Sequence, residues 1–235
     1  MGKRIIQQAR GHGSLTYRVR TKAFKYEIKY PPLNVIGRGK IINLINSPAH
    51  SAPLVKIQID SGKIFYNLAV NGIYEGQEVR IGETEVKEGN ILMLKDIPST
   101  TNIFNIEANP GDGGKFVRTG GNTSTVTKRN EGKVAVMLPS KKEIWFDEKC
   151  RATIGIISGQ GRLEKPIVKA GNMWYKKKAK NKLWPRTSAI KMNVVDHPFG
   201  SGRGKRIKSK IAKNNAPPGA KVGHLHPRRT GKLKK

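Results

Sequence analysis

The stretch LVKIQIDSGKIFYNLAV, residues 54–70, decides how this chain is read. Its alternation places Val55, Ile57 and Ile59 on one face and Lys56, Gln58 and Asp60 on the other, as in a half-buried strand. The DSG at 60–62 is a good hairpin turn into KIFYNLAV (63–70). Working outward, KIINLIN (40–46), QEVRIG (77–82) and NILMLKD (90–96) complete five candidate strands, spaced as in an antiparallel meander or an OB-type barrel. The pattern restarts after Pro98 with TNIFNIEAN (101–109), TSTVTKR (123–129), KVAVMLP (133–139), EIWFD (143–147) and CRATIGIIS (150–158). RNEGK (129–133) and PSKKE (139–143) read as hairpin turns, and the set has the size of an SH3-like barrel. No helix longer than a turn or two is convincing within 41–170.

Charge frames this β-rich middle. The formal net charge is +30 on 235 residues, far beyond what solubility requires, so a polyanion is the default partner. Residues 1–40 carry 10 Lys/Arg against the single acid Glu27, and residues 171–235 carry 19 against the single acid Asp196. The 130 residues between hold 17 basic and 14 acidic side chains and are nearly neutral. The expected organisation is all-β: a basic N-terminal extension over 1–37, an OB-fold domain over 38–97, an SH3-like barrel over 98–170, and a basic C-terminal extension over 171–235. Extensions this charged and this poor in apolar residues are expected to bury no core and to order on a partner.

Several classes fall away. A membrane surface attracts polybasic segments but needs an amphipathic helix or lipid anchor to hold them, and Ile6 stands where a myristoylation signal wants Ser or Thr. No apolar run approaches the roughly 20 residues of a spanning helix, and no secretory h-region follows the start. Gly11 and Gly13 argue against an amphipathic transit peptide. The lone Cys150 excludes a disulfide framework and fits a reducing cytoplasm.

Enzyme readings fare poorly. The nearest approach to a phosphate-binding loop, FGSGRGKR (199–206), has Phe199 where the motif needs Gly and Arg206 where it needs Ser or Thr. Cys150 with His224 and His226 does not make a zinc set, so no metal site is expected. Asp196 beside His197 suggests acid/base chemistry, but neighbours on an extended chain point to opposite faces, and Pro198 favours an extended His197. No catalytic residue is expected; His197, with Asp196, is a functional candidate only. NPGDGGKFVRTGGN (109–122) has five glycines in fourteen residues beside Lys115 and Arg118, and is read as backbone pressed against a phosphate surface or as a long loop.

MNVVDHPFGSGRGK (192–205) closely resembles the MNPVDHPxGGG signature of the large-ribosomal-subunit protein family L-two. KAGNMWYKKKAKNKLWPR (169–186) fits that family's linker at Gly171, Asn172, Trp184, Pro185 and Arg186, and NPGDGGKFVRTGGN and CRATIGIISGQGRLEKP (150–166) match as well. The likeness runs from about Arg10 to Gly204, and HPF in place of the bacterial HPH resembles the archaeal branch. It implies an OB-fold followed by an SH3-like barrel, with both extensions threaded into large-subunit rRNA near the subunit interface and the peptidyl transferase region. There the family supports subunit association, tRNA binding and peptide bond formation, and its much-discussed histidine falls on His197. One departure is Ser201, between Gly200 and Gly202, where the family pattern has a run of glycines.

The expected function is therefore that of a structural constituent of the large ribosomal subunit, cytoplasmic and not an enzyme. Its partners would be rRNA, other ribosomal proteins, the small subunit across the interface and nearby tRNA, with no membrane. The alternative is an architectural nucleic-acid-binding protein outside the ribosome. No cofactor is expected; Mg2+ or K+ would reach the protein through rRNA. Expected RNA contacts are Arg10, Arg18, Arg20 and Lys22 in the first extension. In the middle they are Gly113, Gly114, Lys115, Arg118, Gly120, Gly121 and Arg151. In the second extension they are Lys176, Lys177, Lys178, Lys180, Trp184, Arg186, His197, Gly200, Gly202, Arg203, Lys205, Arg206, Arg228 and Arg229. Gly120→Val is expected to weaken RNA binding without lowering the melting temperature.

Overall fold

A computed structural model of the chain describes residues 3–19, 22–201, 211–212 and 222–225. Two compact units emerge, one of residues 20–172 and one of residues 1–19 with 173–235. The first is all-β. Its strands are β1 (Gly37–Ile45), β2 (Leu54–Ile59), β3 (Ile64–Leu68), β4 (Glu78–Ile81), β5 (Ile91–Met93), β6 (Asn102–Phe104), β7 (Ser124–Asn130), β8 (Lys133–Met137), β9 (Glu143–Asp147) and β10 (Arg151–Ile154). Every run singled out in the sequence carries one. Val55, Ile57 and Ile59 of β2 are buried and Gln58 is exposed, as the alternation requires. The DSG turn closes with the Gly62 N–H donating to Ile59 O at 2.8 Å.

The strands form one continuous sheet in the order β3-β2-β1-β4-β5-β10-β6-β7-β8-β9. This is not a simple meander. β4 returns to pair antiparallel with β1, and β5 meets β4 in parallel at Ile81↔Ile91. β10, the last of these ten in sequence, closes the middle by pairing with both β5 and β6. Successive residues of a strand point to opposite faces, and β5 uses this to serve two cores. Ile91 joins Ile41, Val55, Ile57, Phe65 and Val79. Leu92 joins Ile103, Ile106, Val126, Val136 and Phe146. A third cluster of Ile28, Leu54, Leu68, Phe104 and Ile157 draws on both halves. Full burial of each such side chain contributes about 1.5–3 kcal/mol, and Ile57→Ala would cost about 2–5 kcal/mol.

Residues 24–30, assigned by charge to the N-terminal extension, lie in this unit. Ile28 pairs with Tyr66, and Ile28 and Tyr30 are buried. The reason is visible in FKYEIKY: Tyr26, Ile28 and Tyr30 alternate with charged residues, so a strand-like segment docks its apolar face despite its net charge. Tyr30 anchors a buried polar chain. Its hydroxyl lies 2.6 Å from Thr153 Oγ1, to which Asn67 Nδ2 donates at 3.0 Å, and Asn105 Nδ2 donates to Asn67 Oδ1 at 3.0 Å. Four segments far apart in sequence are thereby tied together inside a low dielectric, where hydrogen bonds are electrostatically stronger than in water. Burial raises the Tyr30 phenol well above its ordinary range, so it stays protonated. Cys150 is also enclosed, its thiol pushed up to about 12 mainly by burial.

The second unit holds α1 (Ile6–Arg10) and α2 (Ala170–Ala179), the latter starting in the first unit's last residues. Its N- and C-terminal segments meet: the Lys3 N–H donates to Val195 O at 2.8 Å, and Ile5 is buried. Among the described residues no helix is long and apolar enough to cross a membrane.

Candidate nucleic-acid interface

The glycine-rich loop between β6 and β7 is organised from within. Glu107, fully buried, accepts from the N–H groups of Gly111, Gly113 and Arg151 at 3.3, 3.1 and 2.9 Å. Its carboxylate also pairs with the Arg151 guanidinium at 2.7 Å. Asp112 accepts from Ala108, Asn109 and Gly114 N–H groups, pinning the loop's tip. Arg151 therefore does not reach the surface where RNA was expected. It is 2% exposed, with its guanidinium 5.3 Å from the Tyr30 ring centre, because a charge buried with Glu107 is stable only while both stay paired.

The loop's glycines face the protein as well. A Cβ on Gly120 would stand 2.6 Å from Ser51 O, and one on Gly121 would stand 2.5 Å from Gln160 Cα. Gly113 and Gly114 are buried against Lys29 and Asn105. The expectation that Val at Gly120 leaves stability untouched is corrected: backbone of this chain already occupies the space its Cβ would need. Lys115 and Arg118 do remain available on this loop. Lys115 is exposed. Arg118 is half-buried, donates to Gly114 O at 3.3 Å and Ile28 O at 3.2 Å, and has its pKa lowered by burial.

In the second unit the described cations lie on both terminal segments. Arg10 ends α1, 6.0 Å from the Tyr17 ring centre, and is exposed with Arg18. Lys176 and Lys178 are exposed on α2, Lys177 and Lys180 half-buried, and Lys178 Nζ sits 4.3 Å over Trp174. Trp184 is half-buried and Arg186 exposed. Lys22 is exposed in the first unit. Arg20, Gly202, Arg203, Lys205, Arg206, Arg228 and Arg229 lie outside the described residues.

The loop at 192–201 folds back on itself instead of extending. Asn193 O accepts from the N–H groups of both Asp196 and His197, at 3.0 and 3.1 Å, and Met192 O accepts from Ser201 at 3.2 Å. Gly200 is buried where a Cβ would meet Met192 O at 2.4 Å. Ser201 has φ of 69°, the left-handed region that glycine enters without steric cost, which explains a glycine in the family pattern there.

Within this loop Asp196 and His197 turn to different partners. Asp196 Oδ1 pairs with Lys3 Nζ at 3.4 Å. His197 Nδ1 accepts from the Phe199 N–H at 3.1 Å, and its ring lies 5.1 Å from that of Phe199. An N–H donor on Nδ1 leaves the ring proton on Nε2, so the neutral imidazole keeps Nε2–H as its donor. Burial lowers its pKa, favouring this neutral form. Such a ring suits a phosphate or hydroxyl oxygen; it is poorly set to take up a proton. Among the described residues no three His, Cys, Asp or Glu side chains gather as a metal site would require.

Sequence reasoning missed Glu107 and Lys3 as organisers. Their partners, Arg151 and Asp196, lie 44 and 193 residues away, and no local pattern announces such a pairing. It also missed Phe24, Tyr26 and His50, which line a hollow with Arg118, although the alternation of rings and lysines in FKYEIKY was there to be read.

An all-β unit joined in one chain to strongly basic terminal segments has the build of a protein that meets a polyanion. The family model described as Ribosomal Proteins L2, C-terminal domain, matches residues 87–219. The large ribosomal subunit protein uL2 of Archaeoglobus fulgidus is 44% identical over 98% of this chain and 99% of its own length. That of Methanococcoides burtonii is 45% identical over 99% and 100%, and that of Korarchaeum cryptofilum 41% identical over 100% and 98%. The chain belongs to the uL2 family of ribosomal structural proteins, on its archaeal side.

Proposed function

We propose that the protein is an architectural rRNA-binding constituent of the large ribosomal subunit, working in the cytoplasm and performing no chemical step itself. The observation that carries this reading is the charge distribution: +30 overall, with the excess concentrated in the terminal segments and a nearly neutral β-rich middle. Lys and Arg side chains neutralise phosphates and release counterions, which supplies affinity without sequence preference. The two halves of the sheet act as an OB-type and an SH3-like module that hold the basic segments at fixed points, and recognition is of RNA shape, since A-form major grooves admit no side-chain reading.

Near the subunit interface and the peptidyl transferase region, the 192–201 loop supports subunit association, tRNA binding and peptide bond formation by position. The Nε2–H of His197 donates to rRNA and helps to fix the loop. Other ribosomal proteins and the small subunit are neighbours in this arrangement. The test is a titration of the full-length protein with large-subunit rRNA and with random duplex DNA at about 0.15 M salt. Tighter binding to the rRNA is the expected result; equal binding to both would favour an architectural role outside the ribosome.

A further inference from the structure

On the first unit, a hollow of about 480 Å³ opens between residues 24–29, His50 and the 112–118 loop. Its volume falls in the ordinary range for small-ligand sites, about 300–1,000 Å³. Its two sets of walls differ in chemistry. One is aromatic: Phe24 is 50% exposed and meets the His50 ring edge-on at 5.0 Å, while Tyr26 leans on Tyr66 at 4.9 Å. The other is cationic, with Lys29, Lys115 and Arg118.

The arginine is the telling residue. Its guanidinium is fixed by two carbonyls, Gly114 O and Ile28 O, and among the described residues no carboxylate lies within ion-pair distance of it. Two acids stand on the rim, Glu27 and Asp112, against three cations, so the hollow keeps a net positive charge, and the Asp112 oxygens are turned to three backbone N–H groups of their own loop. A partly desolvated guanidinium held by carbonyls and in no direct ion pair is a poor device for stability and a good one for an anion. Ring surface open beside it adds the other half of a nucleotide's chemistry, since bases stack on aromatic side chains whatever their identity.

We propose that this hollow receives one unstacked rRNA nucleotide, its base against Phe24 and Tyr26 and its phosphate on Arg118 and Lys115. The proposal rests on the rRNA-binding reading and deepens it: the first unit would hold a single splayed-out residue by stacking, while the basic segments hold helices by charge.

The test uses the full-length protein and a large-subunit rRNA transcript, with affinity measured across a salt series and melting temperature as a check. Phe24→Leu keeps apolar bulk and loses the aromatic face; it should bind about tenfold more weakly with an unchanged salt slope. Phe24→Tyr keeps the face and should bind as the native protein does. Lys115→Gln should flatten the slope by about one contact. Ultraviolet cross-linking of the native protein should give a nucleotide adduct on residues 24–29 or 112–118. Native-like binding by Phe24→Leu, or adducts confined to other segments, would overturn the pocket while leaving the rRNA reading intact. Failure of the native protein to prefer the rRNA over duplex DNA would overturn both.

Discussion

Glu107 and Arg151 face each other at 2.7 Å inside the first unit, with side-chain exposures of 0% and 3%. The same carboxylate accepts the N–H groups of Gly111 and Gly113, so one ion pair fixes both β10 and the glycine-rich loop. Removing one partner strands the other's charge in the interior, which costs about 3–5 kcal/mol. Arg151→Ala and Glu107→Ala should each lower the unfolding free energy of the full-length protein by that order in urea titrations. Arg151→Met combined with Glu107→Met should recover part of the loss, since no lone charge remains, yet stay below native because the loop N–H groups lose their acceptor. A loss under about 1 kcal/mol for either single change would mean the pair is not closed as described.

Gly120→Val should lower the melting temperature sharply. Carbonyl oxygens of Ser51 and Ser158 stand 2.6 and 3.1 Å from where its Cβ would sit, and backbone cannot swing aside as a side-chain tip does. A thermal melt of the purified protein decides this. A variant that melts as native but binds rRNA weakly would restore the reading of Gly120 as an RNA contact.

His197 should titrate below its usual 6.5, because burial disfavours the charged ring and the Phe199 N–H already occupies Nδ1. With the folded pKa depressed, its contribution to the loop is present above about pH 6.5 and is lost as pH falls through the folded value. An NMR titration of the ring checks this, and a midpoint above 6.5 would contradict it. His197→Gln keeps a hydrogen-bonding side chain but cannot titrate. Ribosomes reconstituted with it should transfer peptide at near-native single-turnover rates across pH. A loss of about a thousandfold in a normally assembled particle would identify His197 as a general base.

How much of this was legible beforehand differed by the kind of information involved. Val55, Ile57 and Ile59 announce their strand because period-two alternation is local, and the other nine strands of the first unit show through an equally local signal, short β-branched runs broken by Gly, Asn and Pro. The placing of Tyr26, Ile28 and Tyr30 is equally local, but summing charge over 1–40 conceals three apolar residues beneath ten basic ones. Glycine runs told only that something comes close. At Gly120 and Gly121 the close surface is the chain's own Ser51 and Gln160, remote in sequence. The loop around Asp196 and His197 closes through carbonyls of Met192 and Asn193, and backbone hydrogen bonding of this kind leaves no side-chain signature.

The central claim, that charged terminal segments bind rRNA phosphates while the β-rich unit positions them, is tested most directly by salt dependence. The affinity for large-subunit rRNA should be measured from about 0.05 to 0.2 M salt for the full chain and for residues 1–170. The account predicts a steep fall in log K with log salt for the full chain and a much flatter one for the truncation, with the β-unit still folded by circular dichroism. Equal slopes for the two would contradict it.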